Sequence, residues 1–313
     1  MSRPARPRMT NNIPKRKLGR TGLDVTCLGY GAMEIRGSRI WEGRSVSDVE
    51  AGRILNAVLD AGVNFIDTAN DYGRSEELIG RYLGARREEF FLATKCGCKV
   101  TRRDEYADNT PHIWTRDNLY RGLHESLNRL GTSYVDLMQL HNPTVKQCED
   151  DDLVAVLEDM RKEGKVRWIG CSSTLPDILT YIGWGVFDVF QVPYSALERE
   201  HEEIIGGAAA AGAGVIVRGG IARGEPGEGL GEEEEWRVFE AAKLDELLES
   251  GESRTAFMLR FTISHPSLST TIVGTKRTEH LYENVRAVCK GPLPAEVYEE
   301  AKRRLNSHNR GKM

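Results

Sequence analysis

The sequence predicts a single-domain α/β fold, a (β/α)8 barrel of the TIM type. About eight short apolar strand patterns alternate with helical patterns along the 313 residues, almost without interruption. Strands separated by helices form right-handed βαβ units and a parallel sheet. Reactive side chains also follow the ends of several predicted strands, and a closed barrel gathers those ends at one face. These two observations favour a barrel over an open sheet.

Two glycine-containing segments give no support to other architectures. Gly29-Tyr30-Gly31 does not complete the G-x-G-x-x-G pattern of an open dinucleotide-binding sheet, because position 34 is Glu. The run from Gly170 to Thr174 lacks the final glycine of a nucleophile elbow. The barrel therefore remains the predicted architecture.

The predicted strands are short apolar runs rich in β-branched and aromatic residues. They cover 25–33, 63–67, 90–95, 134–140, 166–171, 187–192, 214–218 and 270–273. The helical patterns cover 47–61, 75–84, 115–130, 151–163, 175–183, 201–211, 236–249, 253–264, 277–288 and 295–305. Ser47 can cap the first helix and Gly131 can end the third. The first helix is expected to bury one face, formed by Val49, Ile54, Leu55, Val58 and Leu59.

Two polar segments are predicted to be loops. Residues 96–114 are long and turn-rich, and residues 224–235 are rich in Gly and Glu and are expected to be mobile. Their length and composition would allow either to close over a ligand. The acidic run at 232–235 is expected to be a solvated helix start, which the helix dipole favours.

The composition is that of an ordinary soluble protein, with 40% hydrophobic and 29% charged residues. A net charge of −4 argues against nucleic acid as the main partner. No apolar run approaches the ~20 residues that a membrane helix needs. The Arg- and Pro-rich start has no apolar stretch and is not a signal peptide. We expect a disordered tail over 1–14, or less favourably an anchor to an anionic surface, before a barrel over 15–313.

The cysteines stand singly along the chain, at positions 27, 96, 98, 148, 171 and 289. Several lie beside apolar strand patterns, which predicts reduced thiols and a cytoplasmic location rather than a disulfide framework. Cys96-Gly97-Cys98 is too tight for a usual zinc knuckle and has no second cysteine pair. No metal site is therefore predicted.

Proton-handling residues stand at or just after the ends of three successive predicted strands. Asp67 ends one strand and Tyr72 lies in the loop after it, while Lys95 and His141 end the next two. A tyrosine hydroxyl titrates near 10 and is a poor acid unless a cation stabilises its phenolate. Taken singly, the four could be a helix cap, a packed ring, an exposed charge and a turn residue. Their shared register predicts one reactive site.

Several blocks of this sequence resemble the aldo-keto reductases, and they fall in the order of that family from about Leu18 to Val288. The blocks are Asn64-Phe65-Ile66-Asp67-Thr68-Ala69-x-x-Tyr72-Gly73, Thr94-Lys95, Gln139-Leu140-His141-Asn142-Pro143 and Ile272-Val273-Gly274-Thr275-Lys276-Arg277. The resemblance implies NADPH-dependent reduction of a small aldehyde or ketone to an alcohol.

The resemblance also implies a catalytic tetrad of Asp67, Tyr72, Lys95 and His141. Hydride addition makes the carbonyl oxygen alkoxide-like, so the site needs a proton donor there. Tyr72 would be that general acid, and Lys95 would lower its pKa. Asp67 would pair with Lys95, and His141 would hydrogen-bond the substrate carbonyl.

The cofactor residues implied by the resemblance are spread over several strand ends. Lys276 and His280 would contact the 2′-phosphate, and Glu283 and Asn284 would lie by the adenine. Backbone N–H groups at a helix start and adjacent cations suit a phosphate, although a capped surface helix with solvated charges is the alternative. The full set is Gly31, Ala32, Met33, Asp67, Ser172, Ser173, Gln191, Arg218, Gly219, Gly220, Gly274, Thr275, Lys276, Arg277, His280, Glu283 and Asn284.

Two positions depart from the family. Ser173 stands where an Asn usually follows the serine matched by Ser172, which would hold the nicotinamide carboxamide together with Gln191. Arg218 stands where an aromatic ring usually covers the nicotinamide. A guanidinium can stack on that ring but repels its oxidised, positive form, so we expect weaker retention of NADP⁺ than of NADPH. Arg218 could instead reach the cofactor pyrophosphate.

Substrate choice is expected to lie in the loops. The aromatic or apolar candidates for a pocket wall are Met33, Trp41, Tyr106, Trp114 and Trp236. A cluster of Arg36, Arg39 and Arg44 would favour an acidic or polyhydroxylated substrate or, more simply, be solvated charge. The alternative function is a cofactor-sensing regulatory subunit, because the family includes members similar to potassium-channel β subunits. The sequence shows no oligomerisation motif.

Overall fold

The computed structural model describes residues 12–38, 44–99 and 111–309. The strands are β1 (Lys15–Lys17), β2 (Asp24–Thr26), β3 (Leu28–Gly31), β4 (Phe65–Asp67), β5 (Phe91–Cys96), β6 (Val135–His141), β7 (Val166–Ser172), β8 (Val189–Pro193), β9 (Gly214–Arg218) and β10 (Thr270–Val273). Eight parallel strands form a closed barrel in the order β10-β3-β4-β5-β6-β7-β8-β9, and an antiparallel pair, β1 and β2, lies outside it.

Helices follow the barrel strands and pack outside them. They are α1 (Asp48–Asp60), α2 (Ser75–Leu83), α3 (Arg116–Leu130), α4 (Val145–Asp150), α5 (Leu153–Lys162), α6 (Asp177–Trp184), α7 (Glu202–Ala210), α8 (Glu233–Ala241), α9 (Arg254–Ser264), α10 (Thr278–Lys290) and α11 (Ala295–Asn309). The predicted (β/α)8 barrel is therefore confirmed.

The hairpin of β1 and β2 covers the end of the barrel at which the strands begin. Leu18 and Val25 pack with residues near the strand starts, including Phe65, in a small buried cluster. The Arg16 guanidinium donates to the carbonyl oxygens of Ile263 and Leu268 at 2.7 and 2.8 Å. One end of the barrel is thus sealed, which leaves the C-terminal ends of the strands for a site.

The local signals at helix ends act as expected. Ser47 Oγ accepts the Glu50 N–H at 3.2 Å in a capping box, and Gly131 ends α3 with φ 64°. Val49 contradicts the predicted buried face of the first helix, because it is 70% exposed. It lies on the opposite side of the helix from Val58, because the nine-residue step between them makes about two and a half turns.

Two predicted elements have different bounds, and one helix was not predicted. The predicted strand 25–33 is interrupted, since β2 and β3 are followed by a 3-10 turn over Ala32–Ile35. The predicted helix 236–249 begins earlier, at Glu233, and ends at Ala241, before a 3-10 turn over Leu244–Leu247. The helix α4 is additional, and a capping box of Thr144 and Gln147 starts it.

The six cysteines are free, and all except Cys289 are buried. Within the described ranges, none of the helices has the length and apolar character needed to cross a membrane. Of the predicted N-terminal tail, Ile13 is buried and the Pro14 carbonyl accepts the Cys27 N–H at 2.8 Å. Positions 1–11 lie outside the described residues.

Candidate active site

The four candidate catalytic residues come together at the end of the barrel where the strands finish. Asp67 and His141 are the last residues of β4 and β6, and Lys95 is next to last in β5. Tyr72 follows β4 in a tight turn, in which its N–H donates to Ala69 O at 3.1 Å. Parallel pairing fixes this alignment through Asp67 with Ala93, Lys95 with Gln139, and His141 with Ser172.

Asp67 and Lys95 form a fully buried ion pair. Lys95 Nζ lies 2.5 Å from Asp67 Oδ1, with both side chains at most 2% exposed. Lys95 Nζ also donates to Thr68 O at 2.9 Å. Burial lowers the pKa of Lys95, but the charges of Asp67 and Tyr72 raise it, and the net pKa lies above its ordinary value. The ammonium is therefore charged at neutral pH.

Two glutamine amides hold the other oxygen of the carboxylate. Gln139 Nε2 and Gln191 Nε2 each donate to Asp67 Oδ2 at 3.0 Å. Both glutamines are at most 1% exposed. Each of these donors binds a lone pair of the Asp67 carboxylate, so the carboxylate is held in one orientation. The carboxylate in turn holds the Lys95 ammonium in place.

Tyr72 lies beside this ion pair. Lys95 Nζ is 5.0 Å from the centroid of the Tyr72 ring. Burial raises the pKa of Tyr72 to about 12, although the charge of Lys95 acts to lower it. The effect of Lys95 thus has the predicted direction, but desolvation outweighs it and the net pKa is raised. The phenol stays protonated at neutral pH, as a proton donor must.

His141 faces Tyr72 with a ring-centroid distance of 6.2 Å and an interplanar angle of 78°. Its Nδ1 lies 3.4 Å from Cys98 Sγ and 3.8 Å from Asp71 Oδ1. Burial, followed by the charge of Lys95, lowers the pKa of His141 well below its ordinary value. The imidazole is therefore neutral, and it can take part in a hydrogen bond without adding charge.

Four neighbours of the site were not recognised from the sequence, namely Asp71, Cys98, His112 and Gln139. Gln139 did carry a signal, because side chains two apart on a strand share a face and Gln139 precedes His141 by two. A polar residue at a buried position of β6 was a candidate on that ground. His112 carried none, since it stands in an irregular segment far along the chain from its partners.

Ser172, Ser173 and Gln191 lie at the adjacent ends of β7 and β8, as the cofactor assignment requires. Ser172 Oγ is 3.4 Å from Gln191 Oε1, and all three residues are buried. Ser173 Oγ lies 3.5 Å from the carbonyl oxygen of Thr174. A hydroxyl and an amide are thus side by side next to the ion pair.

The first and last strands of the barrel cross closely beyond their ends. A Cβ on Gly274 would lie 2.7 Å from the Gly31 carbonyl oxygen, so this crossing needs glycine. Ala32 is buried and Met33 half-buried in the 3-10 turn that follows. Thr275 is 6% exposed, and its carbonyl accepts the Tyr30 hydroxyl at 2.8 Å.

The start of α10 presents cations next to helix N–H groups that the N-cap side chain does not bind. Arg277 is the N-cap residue, exposed, and its side chain does not cap the helix. Lys276 Nζ donates to Ser45 O at 2.9 Å. On the helix, His280 is half-buried, Glu283 exposed and Asn284 buried. A helix N-terminus with adjacent cations favours an anion.

The end of β9 carries the remaining cofactor candidates. Arg218 is exposed, and its charge contributes to the lowered pKa of His141. Gly219 has φ 74°, and Gly220 packs so tightly that a Cβ would lie 2.5 Å from Thr271 Oγ1. The backbone conformation at Gly219 and the tight packing at Gly220 therefore require glycine.

The candidates for the pocket wall lie in different environments. Trp114 is buried and stacks on His112, at 5.4 Å between ring centroids. Trp236 is instead a core residue, 3% exposed, whose Nε1 donates to Ala222 O at 3.1 Å. Met33 is half-buried, and positions 41 and 106 lie outside the described residues.

The arginine cluster is not solvated charge throughout. Arg36 is 7% exposed, and its guanidinium donates to Met33 O at 2.8 Å. Arg44 pairs with Glu34 at 2.7 Å, and position 39 lies outside the described residues. The expectation of solvation is wrong for Arg36, because the 3-10 turn supplies a carbonyl acceptor within reach.

Comparison with known proteins identifies the family of this chain. A sequence profile of the Aldo/keto reductase family matches residues 27–305. The chain is 28% identical to the uncharacterized oxidoreductase YqkF of Bacillus subtilis, over 95% of this chain and 96% of that protein. It is 32% identical to an NADH-specific methylglyoxal reductase of Escherichia coli, over 61% of each.

Among solved structures, an aldo-keto reductase of Bacillus halodurans in its holo form superposes with a TM-score of 0.81. It shares 28% identity, over 93% of this chain and 96% of the other. The family match covers nearly the whole barrel and most of the strand ends that build the site. The chain belongs to the aldo-keto reductase family.

Proposed function

We propose that this chain is an NADPH-dependent oxidoreductase that reduces the carbonyl group of a small aldehyde or ketone, with Tyr72 as general acid. The observation that carries the proposal is a protonated phenol beside a buried, charged Lys95–Asp67 pair, at the open end of the barrel. A proton donor next to a fixed cation is what a developing alkoxide requires.

In this proposal, bound NADPH supplies the hydride that reaches the carbonyl carbon. The Tyr72 hydroxyl donates its proton to the carbonyl oxygen, and Lys95 stabilises the phenolate that is left. The carboxylate of Asp67, held by Gln139 and Gln191, keeps the ammonium charged and aimed. The neutral His141 imidazole hydrogen-bonds the same oxygen and positions it for the transfer.

The residues present fit a nicotinamide cofactor. Gly274 lets two backbone segments pass where a Cβ would lie 2.7 Å from the Gly31 carbonyl oxygen, and the α10 N-terminus offers N–H groups to a phosphate. The hydroxyl of Ser172 and the amide of Gln191 suit a carboxamide. Since Gln191 Nε2 already donates to Asp67, we assign its Oε1 to the cofactor.

The choice of NADPH over NADH rests on Lys276, Arg277 and His280. A relative named as an NADH-specific methylglyoxal reductase makes the opposite choice the one to exclude. A hydrogen bond to a charged group contributes about 1.5–3 kcal/mol. Lys276→Met should therefore lower kcat/KM for NADPH by about tenfold or more and leave NADH unchanged. Lys290→Met, at the other end of α10, is the matched control and should change neither.

Arg218 should bias the site toward reduction. Its guanidinium lies at the end of β9, close enough to affect the pKa of His141, and it would repel a positive nicotinamide. Fluorescence titration of wild type should show a larger Kd for NADP⁺ than for NADPH. Equal or tighter binding of NADP⁺ would count against this role.

The experiment that tests the function is NADPH consumption with a panel of aromatic aldehydes, sugar aldehydes and dicarbonyls, including methylglyoxal. The proposal expects turnover with at least one of them. NADPH binding without turnover across the panel would favour a cofactor-sensing regulatory protein instead.

We place the enzyme in the cytoplasm, because its six cysteines are free and five of them are buried as thiols.

A further inference from the structure

A second cluster of reactive side chains lies against the candidate active site. Cys98 Sγ is 3.4 Å from His112 Nε2 and 3.4 Å from His141 Nδ1. These three ligand atoms all lie within 4.8 Å of one another. The proposed reduction uses only His141, so Cys98 and His112 have no assigned role.

The backbone around this cluster is tightly held. Cys98 and His112 form an isolated antiparallel bridge, and N–H groups on either side donate across it at 2.7 Å, from Lys99 to Pro111 and from Ile113 to Gly97. Asn118 Nδ2 donates to the carbonyl oxygens of Ile113 and Cys98 at 2.9 and 3.2 Å. The thiol and the imidazole are therefore placed by fixed backbone.

The two sulfur–nitrogen distances match those of a tetrahedral metal site. With zinc bonds of about 2.3 Å to sulfur and about 2.05 Å to nitrogen, the sulfur–nitrogen edge of a tetrahedron is roughly 3.5 Å. Both sulfur–nitrogen distances here are 3.4 Å. Thiolate and imidazole together select soft or borderline ions such as Zn²⁺.

Asp71 supplies a further, independent observation. It is 3% exposed and presents Oδ1 to His141 Nδ1 at 3.8 Å. Across the described ranges this buried oxygen receives no N–H or O–H hydrogen bond, and the thiol donor of the carboxyl group, Cys98, loses its proton when a metal binds. A buried carboxylate oxygen without such a donor suits a cation, because a metal ion would supply the missing charge. His112 is exposed, so an ion can reach the cluster from solvent.

We propose that Cys98, His112 and His141 form a binding site for a thiophilic divalent cation of the zinc class, with water or the Asp71 carboxylate in the fourth position. The ion binds the thiolate, so binding releases the Cys98 proton to solvent. The two imidazoles are drawn together on the ion, and the ring of His141 is held away from the substrate. Bound metal therefore inhibits the reductase; this last clause rests on the proposed function.

The binding test does not depend on turnover. The full chain is titrated with Co²⁺, which reports a tetrahedral site and a cobalt–thiolate bond in its absorption spectrum, and Zn²⁺ is then added in competition. We expect one ion per chain and displacement of Co²⁺ by Zn²⁺. Loss of an outer-shell partner already costs 10- to 100-fold in metal affinity, so Cys98→Ser and His112→Ala should weaken binding by about 100-fold or more.

Cys289→Ala is the matched control, because it removes the exposed thiol outside the cluster and should leave the spectrum unchanged. A spectrum without a thiolate band, or one that survives in both Cys98→Ser and His112→Ala, overturns the site. His112 is exposed, so its variant tests ligation even where a change at buried Cys98 affects folding.

Inhibition is measured separately, as loss of NADPH consumption at the Zn²⁺ concentrations that fill the site. His112→Ala should need at least about 100-fold more Zn²⁺ for the same loss. Full occupancy with undiminished turnover overturns the inhibitory role but leaves the site. A chain that binds the ion yet shows no metal-free turnover refutes the proposed function and not the metal site.

Discussion

The buried ion pair of Asp67 and Lys95 can be tested by Asp67→Asn, which keeps the shape of the side chain and removes its charge. In wild type, Asp67 accepts from Lys95 on one oxygen and from Gln139 and Gln191 on the other. Asparagine has one acceptor oxygen and an NH₂ group. At least one of these donors would therefore face another donor, and Lys95 would lose its buried counter-charge.

The loss of folding stability in Asp67→Asn can be estimated from this geometry. Removing one partner of a buried ion pair typically costs 3–5 kcal/mol, because an uncompensated charge is left behind. Both side chains here are at most 2% exposed, so solvent screens them little. At roughly 2 °C per kcal/mol for a chain of this size, Tm should fall by roughly 6–10 °C. The Lys95 pKa also falls, which weakens its support of the Tyr72 phenolate, and kcat should fall at least about tenfold.

The assays are thermal unfolding, urea unfolding and NADPH consumption, with Asp136→Asn as the matched control. Asp136 is also 2% exposed and accepts from Arg87 at 2.6 Å and from Arg167 at 3.0 Å. It stands near the start of β6, away from the candidate site. Its variant should lose stability but keep its turnover per folded molecule.

The double variant Asp67→Asn/Lys95→Met separates charge from packing. Because it leaves no unpaired buried charge, it should recover at least half of the lost stability while remaining inactive. Asp67→Asn that unfolds at the wild-type urea concentration, or that keeps full turnover, would refute this account of the pair.

Two further predictions concern the loop and the histidine. Gly97 has φ 115°, and a Cβ there would lie 2.2 Å from the Trp114 ring. Gly97→Ala should therefore lower the urea midpoint by more than Gly131→Ala, because a Cβ on Gly131 meets open space and costs only about 1 kcal/mol for its left-handed backbone. Equal losses in the two variants would contradict the clash with Trp114. Because burial depresses the pKa of His141, the pH profile of kcat/KM should show no inflection from His141 near about pH 6.5. The contribution of the neutral His141 to folding stability should be present above that pH and lost as the pH falls below it. A limb of the profile near that pH that disappears when His141 is replaced would contradict a neutral imidazole.

Much of the fold could be predicted because it depends on local pattern. Apolar strand runs located all eight barrel strands, and Ser47 and Gly131 marked helix ends through capping rules. The four candidate catalytic residues were found because parallel strands bring their C-terminal ends to one face. The positions of the four residues relative to the predicted strand ends were enough for that inference.

Other features depend on contacts that no local pattern reports. The end of α8 carries no breaker, since Ala241, Ala242, Lys243 and Leu244 are all good helix formers, yet Lys243 adopts φ 52°. Cys98 meets His112 only through a bridge across a long loop. The net pKa of Tyr72 depends on burial, which outweighs the neighbouring cation and which the sequence could not weigh.

The central claim is that Tyr72 is the proton donor of a carbonyl reductase, and Tyr72→Phe tests it most directly. NADPH consumption and NADPH binding are measured side by side in wild type and variant, with an aldehyde that wild type reduces. The account predicts that kcat falls by about 10²–10⁴ while the Kd for NADPH is unchanged, because only the acid has been removed. A variant that turns over at the wild-type rate would contradict it.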